Sequence, residues 1–337
     1  MKLSIDYKKE IERLKKELDV TVVAHYYQRD EVFEMGDIVG DSLELARKSK
    51  DAESEWIVFC GVGFMGQSVK VIAPEKRVLM PKIACCAMAR MIDSTYFDDS
   101  VAYMEERGIP KEAILPITYI NSSAEVKAKV GEMGGLVCTS SNAFRIIEKG
   151  LESGKKILFV PDRCLGQNFA NSMGLKSCVI GVEVDGKACD SLEADIICFN
   201  GFCSVHQYFT MDDIDFYRER YPDILIAVHP ECDPKIVEAA DFSGSTSQLI
   251  KYITDLEPEQ KVAVGTEYNL VNRLRPKNTF VLSSTKPECP TMNETTLEDL
   301  YLVLKSIEDA NPINEVTVDE DVAKYAKLAL DRMLALK

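Results

Sequence analysis

The chain has 337 residues, with 55 acidic against 40 basic side chains and a net charge of −15. Hydrophobic residues make up 46% and charged residues 28%, which excludes a disordered chain and allows a large core. The acidic balance argues against nucleic acid or an anionic membrane as partner, and no apolar run is long enough to span a bilayer.

In chain order, the first nineteen residues pattern as a charged amphipathic helix without the apolar segment of a secretory signal. That predicts a cytoplasmic protein whose 11 cysteines stay reduced. TVVAHYYQ (21–28) then predicts a strand ending in His25 and Tyr27, and DIVGDSLELA (37–46) a turn into a helix at Ser42. IVFCGVGFM (57–65) predicts a strand running into a helix, and ACCAMA (84–89) closes the unit with Cys86. The same succession returns as ILPITYINS (114–122), GLVCTSSNA (135–143), ILFVPDRCLG (157–166) and GFCSVH (201–206). It returns again as ILIAVHPEC (224–232), ADFSGSTSQ (240–248), KVAVGTEY (261–268) and ECPTM (288–292). Apolar strands alternating with helices imply parallel sheets covered by helices.

The predicted fold is therefore α/β: three similar parallel-sheet domains around a pseudo-threefold axis, with the active site at their junction. The predicted domains are 1–110 with the N-terminal helix, 111–220 and 221–300, followed by a helical segment, 301–337, packed on the body. In that segment Val322, Tyr325, Ala326, Leu328, Ala329 and Met333 are spaced to face the core.

Ligands of α/β folds gather at strand ends and helix N-termini, so the repeat itself points to the site. Ser42, Ser140, and Ser245 with Thr246 each stand just before an apolar helical stretch, the pattern of an N-cap. Three helix N-termini facing one cavity would bind carboxylate or phosphate through their free N–H groups, without a basic patch. Cys86, Cys203 and Cys289, one per unit, would meet on the same axis and suit a [4Fe–4S] cluster. With three ligands rather than four, one iron keeps an open position and can act as a Lewis acid on a substrate oxygen, favouring dehydration. The absence of any CxxC pair argues against a zinc ribbon. The 3 histidines all fall inside the repeated motifs: His25 and His229 at strand ends, and His206 three residues after Cys203. Histidine transfers protons near neutral pH, and Tyr27, Tyr119 and Glu231 are further acid/base candidates on the same strand ends.

Taken together, the strings AHYYQ (24–28), GDSLELA (40–46), CxMA (86–89), YINSSAEVKA (119–128), CTSSNA (138–143) and PDRCLGQN (161–168) resemble the quinolinate synthase family, iron–sulfur enzymes of NAD biosynthesis. GFCSVH (201–206), HPEC (229–232), GSTS (244–247), GTE (265–267) and CPTM (289–292) continue the resemblance in order. It implies a [4Fe–4S] cluster on Cys86, Cys203 and Cys289, and condensation of iminoaspartate with dihydroxyacetone phosphate to quinolinate, with loss of phosphate and two waters. It also implies catalytic roles for Tyr27, His229 and Glu231. Substrate contacts would come from His25, Ser42, Tyr119, Asn121, Ser140, Ser245 and Thr246. Functional coupling to an iminoaspartate-producing enzyme follows from the pathway. Four positions depart from the pattern. Gln67 stands where glutamate is common, Cys85 where glycine is common, and Ser283 and Lys286 where some members carry cysteines for a regulatory disulfide. Two rival readings are an iron–sulfur hydro-lyase acting on another di- or tricarboxylate, and a binding or redox-sensing protein built on scattered thiols.

Overall fold

A computed structural model describes residues 5–183, 188–274 and 278–336. Helix α1 (Tyr7–Leu18) leads into strand β1 (Val20–His25), helix α2 (Asp30–Phe33), strand β2 (Ile38–Gly40), helix α3 (Ser42–Asp51), strand β3 (Trp56–Cys60), helix α4 (Gly63–Ile72) and strand β4 (Arg77–Leu79). All four strands pair in parallel, in the order β2-β1-β3-β4.

Helix α5 (Ser94–Glu105) precedes strand β5 (Ile114–Tyr119), helix α6 (Ala124–Glu132), strand β6 (Leu136–Cys138), helix α7 (Ala143–Leu151), strand β7 (Lys156–Val160), helix α8 (Arg163–Ser172), strand β8 (Ser177–Val179) and strand β9 (Ile196–Cys198). Their parallel sheet runs β6-β5-β7-β9-β8. The third set comprises helix α9 (Met211–Arg220), strand β10 (Leu225–Val228), helix α10 (Pro234–Ala239), strand β11 (Phe242–Ser243), helix α11 (Thr246–Asp255), strand β12 (Val262–Gly265), helix α12 (Tyr268–Leu274) and strand β13 (Thr279–Val281), in the order β11-β10-β12-β13. Helices α13 (Leu297–Glu308) and α14 (Glu320–Ala335) follow.

The fold is thus α/β with three parallel sheets sharing one strand order, and β8 is an added edge strand in the second. The shared order reverses between β1 and β3, between β5 and β7, and between β10 and β12. Crevices at the carboxyl ends of such strands are where α/β proteins bind ligands. The central strands are buried along nearly their whole length, as sheets with helices on both faces require, and this explains their continuous apolar runs.

By internal contacts the chain divides into two compact units: Met1–Cys86 with Glu288–Glu320, and Ala87–Pro287 with Asp321–Lys337. The first holds the first sheet. Its core joins Ile11 and Leu14 of α1, Val22 and Ala24 of β1, and Leu300, Val303 and Leu304 of α13. The second holds the other two sheets. One of its cores packs Ile226 and Val228 of β10 on Ile214 of α9, and another packs Ala227 on Leu249 and Ile253 of α11. Among the described residues no helix is long and apolar enough to cross a membrane.

Two expectations need correction. Cys178 and Cys189 form a disulfide, so not every thiol is reduced; β8 brings their Cα atoms to 5.0 Å, within normal reach. In α14, Ala326, Ala329, Leu330 and Met333 are buried, but Leu328 is 42% exposed. Leu330 takes the inward place that the spacing assigned to Leu328.

Candidate active site

In the first unit, β1 ends at His25, which is buried. Its Nδ1 accepts a hydrogen bond from the Tyr27 backbone N–H at 3.1 Å, and the Tyr27 ring meets it edge-on at 4.8 Å. A ring whose Nδ1 accepts carries its proton on Nε2 when neutral, so His25 presents a donor. Ser42 is the first residue of α3 rather than its cap. Asp41 caps the helix instead, accepting from the N–H groups of Leu43 and Glu44, so the hydroxyl of Ser42 is not needed for capping. The stretch leading to Cys86 is tied to the start of α4 by the Gly63 N–H, which donates to the Ala84 carbonyl at 2.8 Å. Cys289 opens a short turn in which its carbonyl accepts from the Asn293 N–H.

The second unit brings four of the candidate polar residues into one buried network. The Tyr119 hydroxyl at the end of β5 donates to Glu231 Oε1 at 2.5 Å. Glu231 Oε2 lies 3.1 Å from His206 Nδ1, and His206 Nε2 lies 3.1 Å from Thr266 Oγ1. His229 stacks on His206 with ring centroids 4.6 Å apart, and its Nδ1 faces the Glu231 N–H at 3.3 Å, the same device as at His25. Burial alone would raise the Glu231 carboxyl. The neighbouring imidazoles of His206 and His229, with hydrogen bonds from His206 and Tyr119, outweigh it and hold the group below the usual carboxylate value. Asp162 moves the other way, pushed well up by burial and by the Glu231 charge.

The turn after β5 carries Asn121 and is clamped from α6. Lys127, 1% exposed, donates from Nζ to the Ile120 carbonyl at 2.8 Å and to the Ser122 carbonyl, which bracket Asn121. Asn121 Oδ1 is buried without a hydrogen-bond partner, as are Asn142 Nδ2 and Asp162 Oδ2. These atoms, just past the ends of β5, β6 and β7, have hydrogen-bonding capacity that a water or a polar ligand would satisfy. Ser245 does cap its helix: its Oγ accepts from the Gln248 N–H and Gln248 Oε1 accepts from the Ser245 N–H, with Thr246 as the first helical residue. Ser140 does not, for α7 begins at Ala143 after Asn142. The Asn142 side chain turns back to accept from the Thr139 N–H, leaving the two serines in the turn before it.

Of the nine cysteines outside the disulfide, Cys60, Cys138, Cys164, Cys198 and Cys232 are buried and Cys85 is exposed. Burial pushes the five buried thiols up, which suits inert packing groups. Cys86, Cys203 and Cys289 alone are half-buried, the setting in which a thiolate can reach a metal, so the donor chemistry fits a cysteine-held cluster. Cys203 is reached by a close backbone pairing: the Arg163 N–H donates to the Gly201 carbonyl and the Gly201 N–H to the Pro161 carbonyl. A Cβ at position 201 would lie 2.6 Å from that Pro161 carbonyl oxygen, so the approach requires glycine. Cys203, His206 and Glu231 also place one donor atom each within 4.8 Å of one another.

Sequence reasoning missed Thr266, Lys127, and Asn168, whose Nδ2 donates to the carbonyls of Pro230 and Cys232 beside the histidine–glutamate pair. Lys127 and Asn168 carried a signal, as polar residues at inward positions of helices.

The sequence matches the family described as quinolinate synthetase A protein over residues 9–335. It is 55% identical over 335 residues to a quinolinate synthase of Helicobacter pylori (strain HPAG1), covering 98% of both chains. A quinolinate synthase of Streptomyces coelicolor is 40% identical, with 94% of this chain and 84% of the relative covered. One of Halobacterium salinarum is 37% identical, with 94% and 88% covered.

Proposed function

The chain belongs to the quinolinate synthetase A family, and from that premise we propose that this enzyme condenses iminoaspartate with dihydroxyacetone phosphate to quinolinate, releasing phosphate and two waters. The observation that carries the reading is the family match along nearly the whole chain. Cys86, Cys203 and Cys289 would hold a [4Fe–4S] cluster, and their half-burial supports that assignment over the buried thiols. Such a cluster, bound by three cysteines, supplies Lewis acidity at the iron left without a protein ligand.

The remaining work falls to this chain's own side chains. Tyr27, His229 and Glu231 move protons: Glu231, held ionised, is the acceptor, and the Nε2–H of His229 is the donor. Tyr119 fixes the Glu231 carboxylate through its hydroxyl, and Asn121 offers its buried amide oxygen to a substrate N–H or O–H. His25, Ser42, Ser140, Ser245 and Thr246 hold the carboxylate and phosphate groups, aided by the N-termini of α3 and α11. That explains how a chain of net charge −15 accepts anionic substrates. The domain limits 1–110, 111–220, 221–300 and 301–337, and a shared site on a pseudo-threefold axis, are part of the same proposal. So are a cytoplasmic setting and coupling to an enzyme that supplies iminoaspartate.

The test is an anaerobic assay of quinolinate formation from the two substrates with cluster-replete protein. Iron and sulfide should each reach about four per chain. Absence of product from such protein overturns the reading and favours a hydro-lyase acting on another di- or tricarboxylate.

A further inference from the structure

The second unit contains a ligand set that is complete without the other cysteines. We propose that Cys203, His206 and Glu231 bind a single divalent cation of the zinc class when the protein carries no cluster. Their donor atoms, one thiol sulfur, one ring nitrogen and one carboxylate oxygen, lie within 4.8 Å of one another. Zinc bonds of about 2.0–2.3 Å place tetrahedral donors roughly 3.3–3.8 Å apart, so a contraction of about 1 Å completes the site. His206 Nδ1 and Glu231 Oε2 already face each other at 3.1 Å.

The outer contacts support the assignment independently. A metal-bound histidine donates its second nitrogen to a fixed acceptor, and a metal-bound carboxylate is hydrogen-bonded on its other oxygen. Here His206 Nε2 stands 3.1 Å from Thr266 Oγ1, and Glu231 Oε1 accepts from the Tyr119 hydroxyl at 2.5 Å. His206 and Glu231 are buried, whereas Cys203 is half-buried and gives the cation a way in. On binding, the Cys203 thiol gives up its proton, and the single ring proton of neutral His206 sits on Nε2, which leaves Nδ1 free to ligate. A fourth position stays open, as in sites that bind a further ligand. The cation and the proposed cluster share Cys203 and exclude each other; this consequence alone rests on the ligand assignment above.

The test uses the full chain, purified without cluster under anaerobic conditions and titrated with Zn²⁺ against a chromogenic chelator. Co²⁺ in place of Zn²⁺ reports sulfur ligation through a thiolate-to-metal absorption band. One equivalent should bind to the wild type and equally to a Cys86→Ser/Cys289→Ser chain. The Cys203→Ser chain should lose the band, and Thr266→Val should weaken binding roughly 10–100-fold. Because replacing buried His206 can unfold the unit, Cys203→Ser and Thr266→Val carry the decision. Wild-type affinity in Cys203→Ser, or loss of binding in the double variant, overturns the proposal whatever the outcome of the quinolinate assay.

Discussion

At the scale of the residue, the site depends on buried polar groups whose partners are fixed. Tyr119 is the clearest case, since its hydroxyl holds one oxygen of a carboxylate that has almost no access to water. Tyr119→Phe leaves that oxygen without its donor. We expect kcat to fall roughly 10²-fold while KM changes little, as measured by steady-state kinetics; a change confined to KM would assign the ring to binding alone. Lys127 gives a second prediction, in stability. Burial lowers its pKa from 10.5 to about 7, although the Ile120 and Ser122 carbonyls favour the ammonium form. Between those values the unfolded chain binds the extra proton, so stability rises with pH from about 7 towards 10.5. Urea unfolding across that window should show the rise in the wild type, and Lys127→Met should flatten it.

At the scale of the element, sequence patterns were legible where burial is continuous and illegible where contacts are long-range. The strands declared themselves because both faces of each sheet are covered. Ser245 read correctly as a cap, whereas Ser42 and Ser140 did not, because Asp41 and Asn142 compete as equally good polar residues next to them. Nothing local in GTE (265–267) announces that Thr266 receives His206, sixty residues earlier. Glycine on α6 shows how packing overrides propensity. Alanine at position 131 would favour the helix by about 1 kcal/mol. Yet its Cβ would lie 2.0 Å from the Tyr325 carbonyl oxygen of α14, backbone that cannot turn aside. Arg332 of α14 also donates to the Gly131 and Gly135 carbonyls, which fixes the approach. Gly131→Ala should therefore destabilise by about 1–3 kcal/mol in a denaturant melt; a gain in stability would show that α14 can move away.

At the scale of the whole molecule, one strand order used three times explains why chemistry-bearing residues recur at matching places. His25, Tyr119 and His229 lie at or just past the ends of the central strands, and the three half-buried cysteines each follow the last-paired strand of the common order. The added strand β8 and its disulfide break the rhyme and were invisible in it. Cys86 and Cys289 belong to one compact unit and Cys203 to the other. A cluster bound by the folded chain and not by the unfolded one stabilises the fold by mass action. Loaded wild-type protein should melt higher than the stripped form by at least roughly 5 °C, since each kcal/mol moves a domain of this size by about 2–4 °C. Cys203→Ser should take up little iron and melt like the stripped wild type, as read by anaerobic calorimetry with iron analysis. Equal melting temperatures for loaded and stripped wild type would mean that the thiols are not bridged by a common group, and the ligand assignment would fall with that result.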